Sequence, residues 1–259
     1  MKTIIELQKY IKELPFEEKC LMLDEKFSAN RIDWLMEWRM FNPAYSQFIA
    51  ANPYIKSRYV FSRLDLLFGK NGWSTTIKYP NTYGDSFGLV AEMNIEGLGT
   101  RSDGSNAGDN EPMKSAVTGA LKRCAMQFGI GRYLYELGQC SGEITDKNDY
   151  DYIYYHKKTK ERFYWKRPIL PEWALPTESD PIGVDEVIDI SFYYSVANSA
   201  AKEYFASIAK NPTSYTKGDV WKAIEKMEKR TNGGIFSMPE PPTRKEKSPS
   251  NSVISDLID

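Results

Sequence analysis

The sequence predicts an α+β fold: a small antiparallel sheet packed on one long amphipathic helix, with further helices at both ends. Three observations lead there. Residues 73–79 and 87–95 are rich in β-favouring side chains and flank the turn sequence PNTYGDS, a hairpin signal. The segment from Glu111 to Phe128 repeats apolar side chains at helical spacing, with Val117, Leu121, Cys124 and Phe128 on one stripe and Met113 and Ala120 at its edge. Residues 2–26 and 188–229 carry helical periodicity and no strand signal.

In chain order, Ile4, Ile5, Leu7, Tyr10, Ile11 and Leu14 describe a helical lead-in that Pro15 interrupts and Cys20–Leu23 resumes. Trp34, Leu35 and Trp38 follow in close succession, and Pro43 with Pro53 frames a connection into a helix over 57–68. In that helix Val60, Leu64 and Leu67 make the buried side, and Arg58 and Arg63 face outward. Residues 69–72 turn the chain into the sheet, whose third strand lies near Leu98–Ser102. A loop from Asp103 to Asn110 then leads to the amphipathic helix. Residues 152–155 and 162–165 form a second hairpin around the basic tip HKKTKE. After a proline-punctuated stretch, helices are expected over 188–209 and 217–229, the second with Trp221, Ile224 and Met227 on one side. From Gly233 onward no core-forming pattern remains until the acidic and apolar SVISDLID, so a disordered tail with an interaction tip is expected. The organisation is a core over 1–176, a helical region over 177–232 and a tail over 233–259.

Composition narrows the chemistry. The chain has 259 residues, three cysteines without paired metal spacing and a single histidine, His156, so zinc sites and histidine-based triads lack their usual parts, and no cofactor is expected. No apolar run approaches the ~20 residues needed to cross a bilayer, and the first residues are too charged for a signal peptide, so a cytoplasmic location is expected. The formal net charge of −1 argues against a dedicated nucleic-acid binder. Charge is segregated, however. Lys157, Lys158, Lys160, Arg162, Lys166 and Arg167 oppose only Glu161, and Lys56, Arg58 and Arg63 cluster before the sheet, while acidic residues gather at the N-terminus, over 178–189 and in the tail. A neutral chain of this kind can carry a basic groove.

The segment over 111–137 is the most informative. Lys122 and Arg123 project from the flanks opposite the apolar stripe, and Ser115 and Gly119 between and above them are small enough to admit a polyanion. Taken alone, the segment reads equally as a solvated amphipathic helix whose charges follow the helix dipole.

Its wording decides between the two. AVTGALKRCAMQFGIGRYLY resembles the signature helix of the Rad/DdrA-type single-strand annealing proteins, the Rad52 superfamily, in its bacterial or phage branch. YIKSRYVFSRLDLLFGKNGW over 54–73, the strand pair and charged loop over 88–104, and ILPEWALP over 169–176 are similar to the same family in the same order. The resemblance implies a non-enzymatic protein that holds single-stranded DNA by its phosphates, forms homo-oligomeric rings or filaments, and promotes annealing in recombination or repair. It places Lys122 and Arg123 in the DNA groove, with Arg58 or Arg63 contributed by the preceding helix. The eukaryotic branch carries a further arginine one turn after the pair; here that position is Met126, and Arg132 is the candidate replacement. Lys114 on the same helix and Lys157, Lys158 and Lys160 at the hairpin tip are further candidate DNA contacts. Tyr133, Tyr135 and Trp73 carry rings that could stack on bases, whereas Phe128 belongs to the core. The tail tip implies a partner such as a single-strand-binding protein or a recombinase, and the chain's size suits a bacteriophage or bacterium.

Three alternatives stand beside this reading. The loop over 103–110 resembles a phosphate loop but lacks the Gly-Lys-Ser/Thr ending. Asp65, Glu92 and Asp103 could serve a metal-dependent nuclease, although they lie on different elements. An end-protecting or recombinase-loading mediator without annealing activity is the third.

Overall fold

The computed structural model describes residues 2–37, 47–83, 86–106, 111–155 and 160–231. Trp38, Pro43, His156, Lys157, Lys158 and the tail over 233–259 lie outside the described residues. The chain enters through α1 (Lys2–Lys12) and α2 (Phe16–Leu23), separated around Pro15, which lacks the N–H that a continuous helix needs there. Thr3, Leu7 and Ile11, one turn apart, form the buried side of α1, and Ile5 of the expected stripe is exposed.

Two strands follow that sequence patterning did not announce, β1 (Ile32–Met36) and β2 (Phe48–Ile55), antiparallel with Ile32 opposite Ile55. They belong to a five-stranded sheet of order β1-β2-β6-β8-β7, completed by β6 (Cys140–Thr145) and by the expected hairpin β7 (Tyr152–Tyr155) and β8 (Arg162–Trp165). β2 contains Pro53, and β6 pairs only with Phe48–Ala51, so the proline stands beyond that ladder. β6 reads CSGEIT, with little β preference of its own; Gly142 is used because a Cβ there would lie 2.5 Å from the Trp165 ring. Both strands are strands because partners pair with them.

Between these segments, α3 (Ser57–Phe68) matches its expected bounds and buries Val60, Leu64 and Leu67. A three-stranded meander follows, β3 (Trp73–Tyr83), β4 (Ser86–Ile95) and β5 (Gly99–Asn106). The third strand runs further than expected and takes in the first half of the loop over 103–110. Leu89, Ala91, Met93 and Ile95, alternate residues of β4, are buried beneath α4 (Pro112–Gln127). The Cys124 Sγ–H donates to the Ala91 carbonyl at 3.3 Å. α4 buries Ala116, Ala120, Leu121, Cys124 and Ala125, while Met113 is exposed. The stripe is thus turned towards the alanines, whose short side chains let the helix lie close on the sheet.

The expected helix over 188–209 is two helices, α5 (Val184–Tyr193) and α6 (Ser199–Lys210), followed by α7 (Lys217–Thr231). Asn198 makes the break: its Oδ1 accepts from the Ala201 N–H at 2.9 Å, starting a new helix. One apolar core runs through both regions, with Val187, Ile190, Phe205 and Ile208 in the same cluster as Leu7, Ile11, Leu64 and Leu67.

At the centre of this core sits a group of charges. Arg63, expected to face outward, is 0% exposed. Its guanidinium donates to Asp185 Oδ1 at 3.1 Å and to the Glu25 carbonyl at 2.7 Å, and it stacks 3.8 Å over the Phe27 ring. Arg31 reaches Asp189 Oδ1 at 2.5 Å and the Asp185 carbonyl at 3.1 Å. Lys217 pairs with Glu186 at 3.1 Å and Glu25 at 3.7 Å, and the Trp221 Nε1–H donates to Glu186. Much of the acidic stretch over 178–189 is therefore interior and neutralised. Four carboxylates face three cations, and burial raises both Glu25 and Asp189, the latter to about 7, with Arg31 opposing and Asp185 and Glu186 adding to the shift.

Replacing Arg63 with Met removes the nearer of the two cations beside buried Asp185 and leaves it only Arg31, whose Nε is 3.5 Å from Oδ2, so a loss of about 3 kcal/mol is expected in urea unfolding; an unchanged midpoint would contradict the arrangement. Asp189 provides a pH test. Its folded-state value is raised, so its contribution is full below the ordinary carboxylate range and is lost as pH climbs through about 7. The stability of the wild-type chain relative to Asp189→Asn should fall between about pH 4 and about pH 7 and level off above. Unfolding midpoints across that range check the sign.

Candidate nucleic-acid interface

α4 begins at Pro112 in the first helical position, after Glu111 in the left-handed region at φ 48°. It ends through Gly129 and Gly131, both at positive φ, which swing the chain into a 3-10 turn over Arg132–Tyr135. Side-chain space also requires Gly129: a Cβ there would lie 2.4 Å from the Asp24 carboxylate. This turn returns the chain beside β2.

Adjacent helical residues point about 100° apart, and the Lys122-Arg123 pair accordingly addresses two different neighbours. Lys122 is half-buried and reaches towards β2, with its Nζ 4.8 Å from the centroid of the Tyr54 ring. No carboxylate pairs with it among the described residues, and burial pushes its pKa down. Arg123 is exposed on the other flank and donates to the Gly104 carbonyl of β5 at 3.1 Å. Gly119, expected to admit a polyanion, stands on this second flank and is filled by β5: a Cβ there would lie 2.3 Å from Ser105 Oγ. Its smallness serves helix-to-sheet packing.

On the Lys122 flank lies a cleft of about 330 Å³ between β2, α4 and the 3-10 turn, lined by Asn52, Tyr54, Lys122, Met126, Leu134 and Tyr135, among others. The β2–α3 junction that forms one wall carries Tyr54, Lys56 and Arg58. Lys56 is paired with Asp33 at 2.9 Å, and Arg58 is exposed without an ion pair among the described residues. Asp33 also accepts from the Tyr54 and Tyr152 hydroxyls at 3.1 and 2.7 Å; burial would raise its carboxyl, but the bonds from Tyr152, Lys56 and the Trp34 N–H outweigh it and hold the group below the usual range.

The remaining candidates are dispersed. Arg132 is exposed and donates to the Met126 and Gln127 carbonyls at 3.2 and 3.0 Å, capping the negative end of α4. Lys114 pairs with Glu111 at 2.8 Å in water. Lys160 is exposed beside the β7–β8 hairpin with φ 64°. Arg63 is occupied in the interior and is corrected from a surface residue to a core residue, since Asp185 and the Glu25 carbonyl give its charge partners there. Of the aromatics, Tyr133 accepts from the Phe27 N–H at 2.9 Å, and burial raises its hydroxyl to about 12. Trp73 stacks on Phe61 and donates to Asp65. Tyr135 is 64% exposed at the cleft. Sequence reasoning missed Tyr54, whose position opposite Lys122 depends on the unannounced strand β2. It also missed Arg101, which lies 5.3 Å over the Phe128 ring at the end of α4.

The three carboxylates of the nuclease alternative have separate partners. Asp65 accepts from Trp73, Glu92 pairs with Lys78 at 2.5 Å, and Asp103 accepts from Gln127 at 3.1 Å. Among the described residues no group of three or more His, Cys, Asp or Glu side chains is placed to hold a metal ion, and no helix is long and apolar enough to cross a membrane.

The chain is similar to the single-stranded DNA-binding protein DdrA of Deinococcus deserti, at 33% identity over 126 residues, 48% of this chain and 54% of that one. It is also similar to the DdrA of Deinococcus radiodurans, at 40% identity over 87 residues, 34% of each chain. It therefore spans about half or less of the length of these curated relatives. Residues 22–151, which include α3, α4, the meander and the walls of the cleft, match the model for the Rad52/22 family. With half of its length matched, the chain belongs to the Rad52/22 family of double-strand break repair proteins.

Proposed function

We propose that the protein binds single-stranded DNA and promotes the pairing of complementary strands in recombination or repair, without a covalent step. Lys122 carries this reading. It is a half-buried cation that no described carboxylate neutralises, set against Tyr54 in an open cleft. A phosphate there would restore the charge balance that burial disturbs, and a ring beside the cation suits a strand that presents phosphates and bases together. The family match and the relatives named for single-stranded DNA binding support the same reading.

Around the cleft each protomer offers only a handful of exposed cations among the described residues. Arg58 at the start of α3, Arg123 beside Lys122 on α4 and Arg132 on the turn that follows are exposed, and the net charge is −1. Salt-screened attractions of this kind accumulate affinity by repetition, so the proposal includes a homo-oligomer, ring or filament, that aligns many copies of the site along a strand. The hairpin lysines and the C-terminal tail, as sites for a second strand and for a protein partner, are further parts of it.

The test is a comparison of wild-type chain with Lys122→Ala plus Arg123→Ala. Affinity for an oligonucleotide, read by fluorescence anisotropy, should fall by about tenfold or more, and the salt slope should decrease by about 0.7 for each phosphate that is no longer neutralised. The rate at which two labelled complementary strands pair should fall in parallel, with strand length unchanged. Equal affinity and pairing rate in the double variant would remove the assignment, and binding without accelerated pairing would favour a mediator that only protects or loads.

A further inference from the structure

The cleft beside Lys122 has a feature that phosphate binding does not use: beyond the ammonium, much of its wall is apolar. Ile55 and Met126 and the turn residues Ile130 and Leu134 contribute to it. At about 330 Å³ it lies at the lower end of the roughly 300–1,000 Å³ range of small-ligand clefts. That volume suits one planar heterocycle and is too small for a helix or strand of a partner.

We propose that the cleft takes a single unstacked base of the bound strand, one per protomer, with Tyr135 as its stacking platform and Lys122 on the adjoining phosphate. The inference rests on the single-stranded DNA reading above and adds to it where the base goes. Of the three rings that could stack on bases, Tyr135 is the exposed one: 64% of its surface is in water, whereas Tyr133 and Trp73 are held by Phe27 and Asp65. An aromatic side chain left exposed at the edge of an apolar cleft gains from a second ring laid against it. The thioether of Met126 adapts to rings of different outline. Asn52 and Gln139 add amide donors and acceptors at the rim, suited to a base edge. Charge complementarity favours a nucleotide over an apolar side chain of another copy, because the ammonium would remain unneutralised beneath the latter. Holding one base per protomer leaves the pairing edges of the bases between free for a second strand.

The experiment uses the full chain and two oligonucleotides of equal length, one of thymidines and one with an abasic backbone, compared by anisotropy at one salt concentration. The wild-type chain should favour the thymidine strand by about tenfold. Tyr135→Ala should reduce that ratio to near one, and Tyr135→Phe should keep it. An equal affinity of the wild-type chain for both strands overturns the base cleft and leaves the DNA reading intact; failure to bind either overturns both. A Tyr135→Ala chain that retains the full ratio also overturns the proposal. If that chain in addition sediments as a smaller species, the cleft belongs to a neighbouring copy of the protein.

Discussion

Arg63 has no surface in water, and the charges around it hold together segments far apart in sequence. It joins α3 to Asp185 at the start of α5 and to the backbone at Glu25, while Arg31 and Lys217 extend the cluster to Asp189, Glu186 and α7. A buried charge tolerates little displacement, because moving its partner exposes the full desolvation cost. The cluster therefore fixes where α3 stands relative to both ends of the chain. β2 leads into α3 through Lys56 and Arg58, so the position of Tyr54, one wall of the candidate site, follows from a core interaction that never touches the cleft.

The second determinant is the way α4 lies on the meander. Alanines and Gly119 bring the helix close enough for Cys124 to reach the Ala91 carbonyl and Arg123 the Gly104 carbonyl. Once that face is against the sheet, Lys122 must point the other way, over Tyr54. The helix thus divides its adjacent cations, one anchored on β5 and one offered to the cleft. Arg132, by capping the carbonyls at the end of α4, steadies the turn that carries Tyr135 to the same cleft.

Much of the scaffold was legible in local pattern. The bounds of α3, β7 and β8, the break near Pro15 and the order of meander followed by helix come from spacing and turn residues, which act within a few positions of one another. The strands β2 and β6 were not legible, because Pro53, Asn52 and the CSGEIT segment have weak preferences and become strands only through partners elsewhere in the chain, and β1 is a five-residue run whose pairing depends on β2. The division between α5 and α6 was missed because helical periodicity runs through it, although Asn198 is a recognisable capping residue.

For the site, the sequence by itself determined that Lys122 and Arg123 flank a buried stripe and that the Gly129–Gly131 turn follows them, since helical periodicity and glycine's conformational freedom are local properties. Tertiary structure alone decided which charges are available. Arg63 and Arg58 look equivalent along the helix, yet one meets Asp185 in the core and the other meets water. Tyr54 and Tyr135 lie 81 positions apart by their numbering and line one cleft, a proximity that only the packing of the β2 segment against α4 and its turn creates.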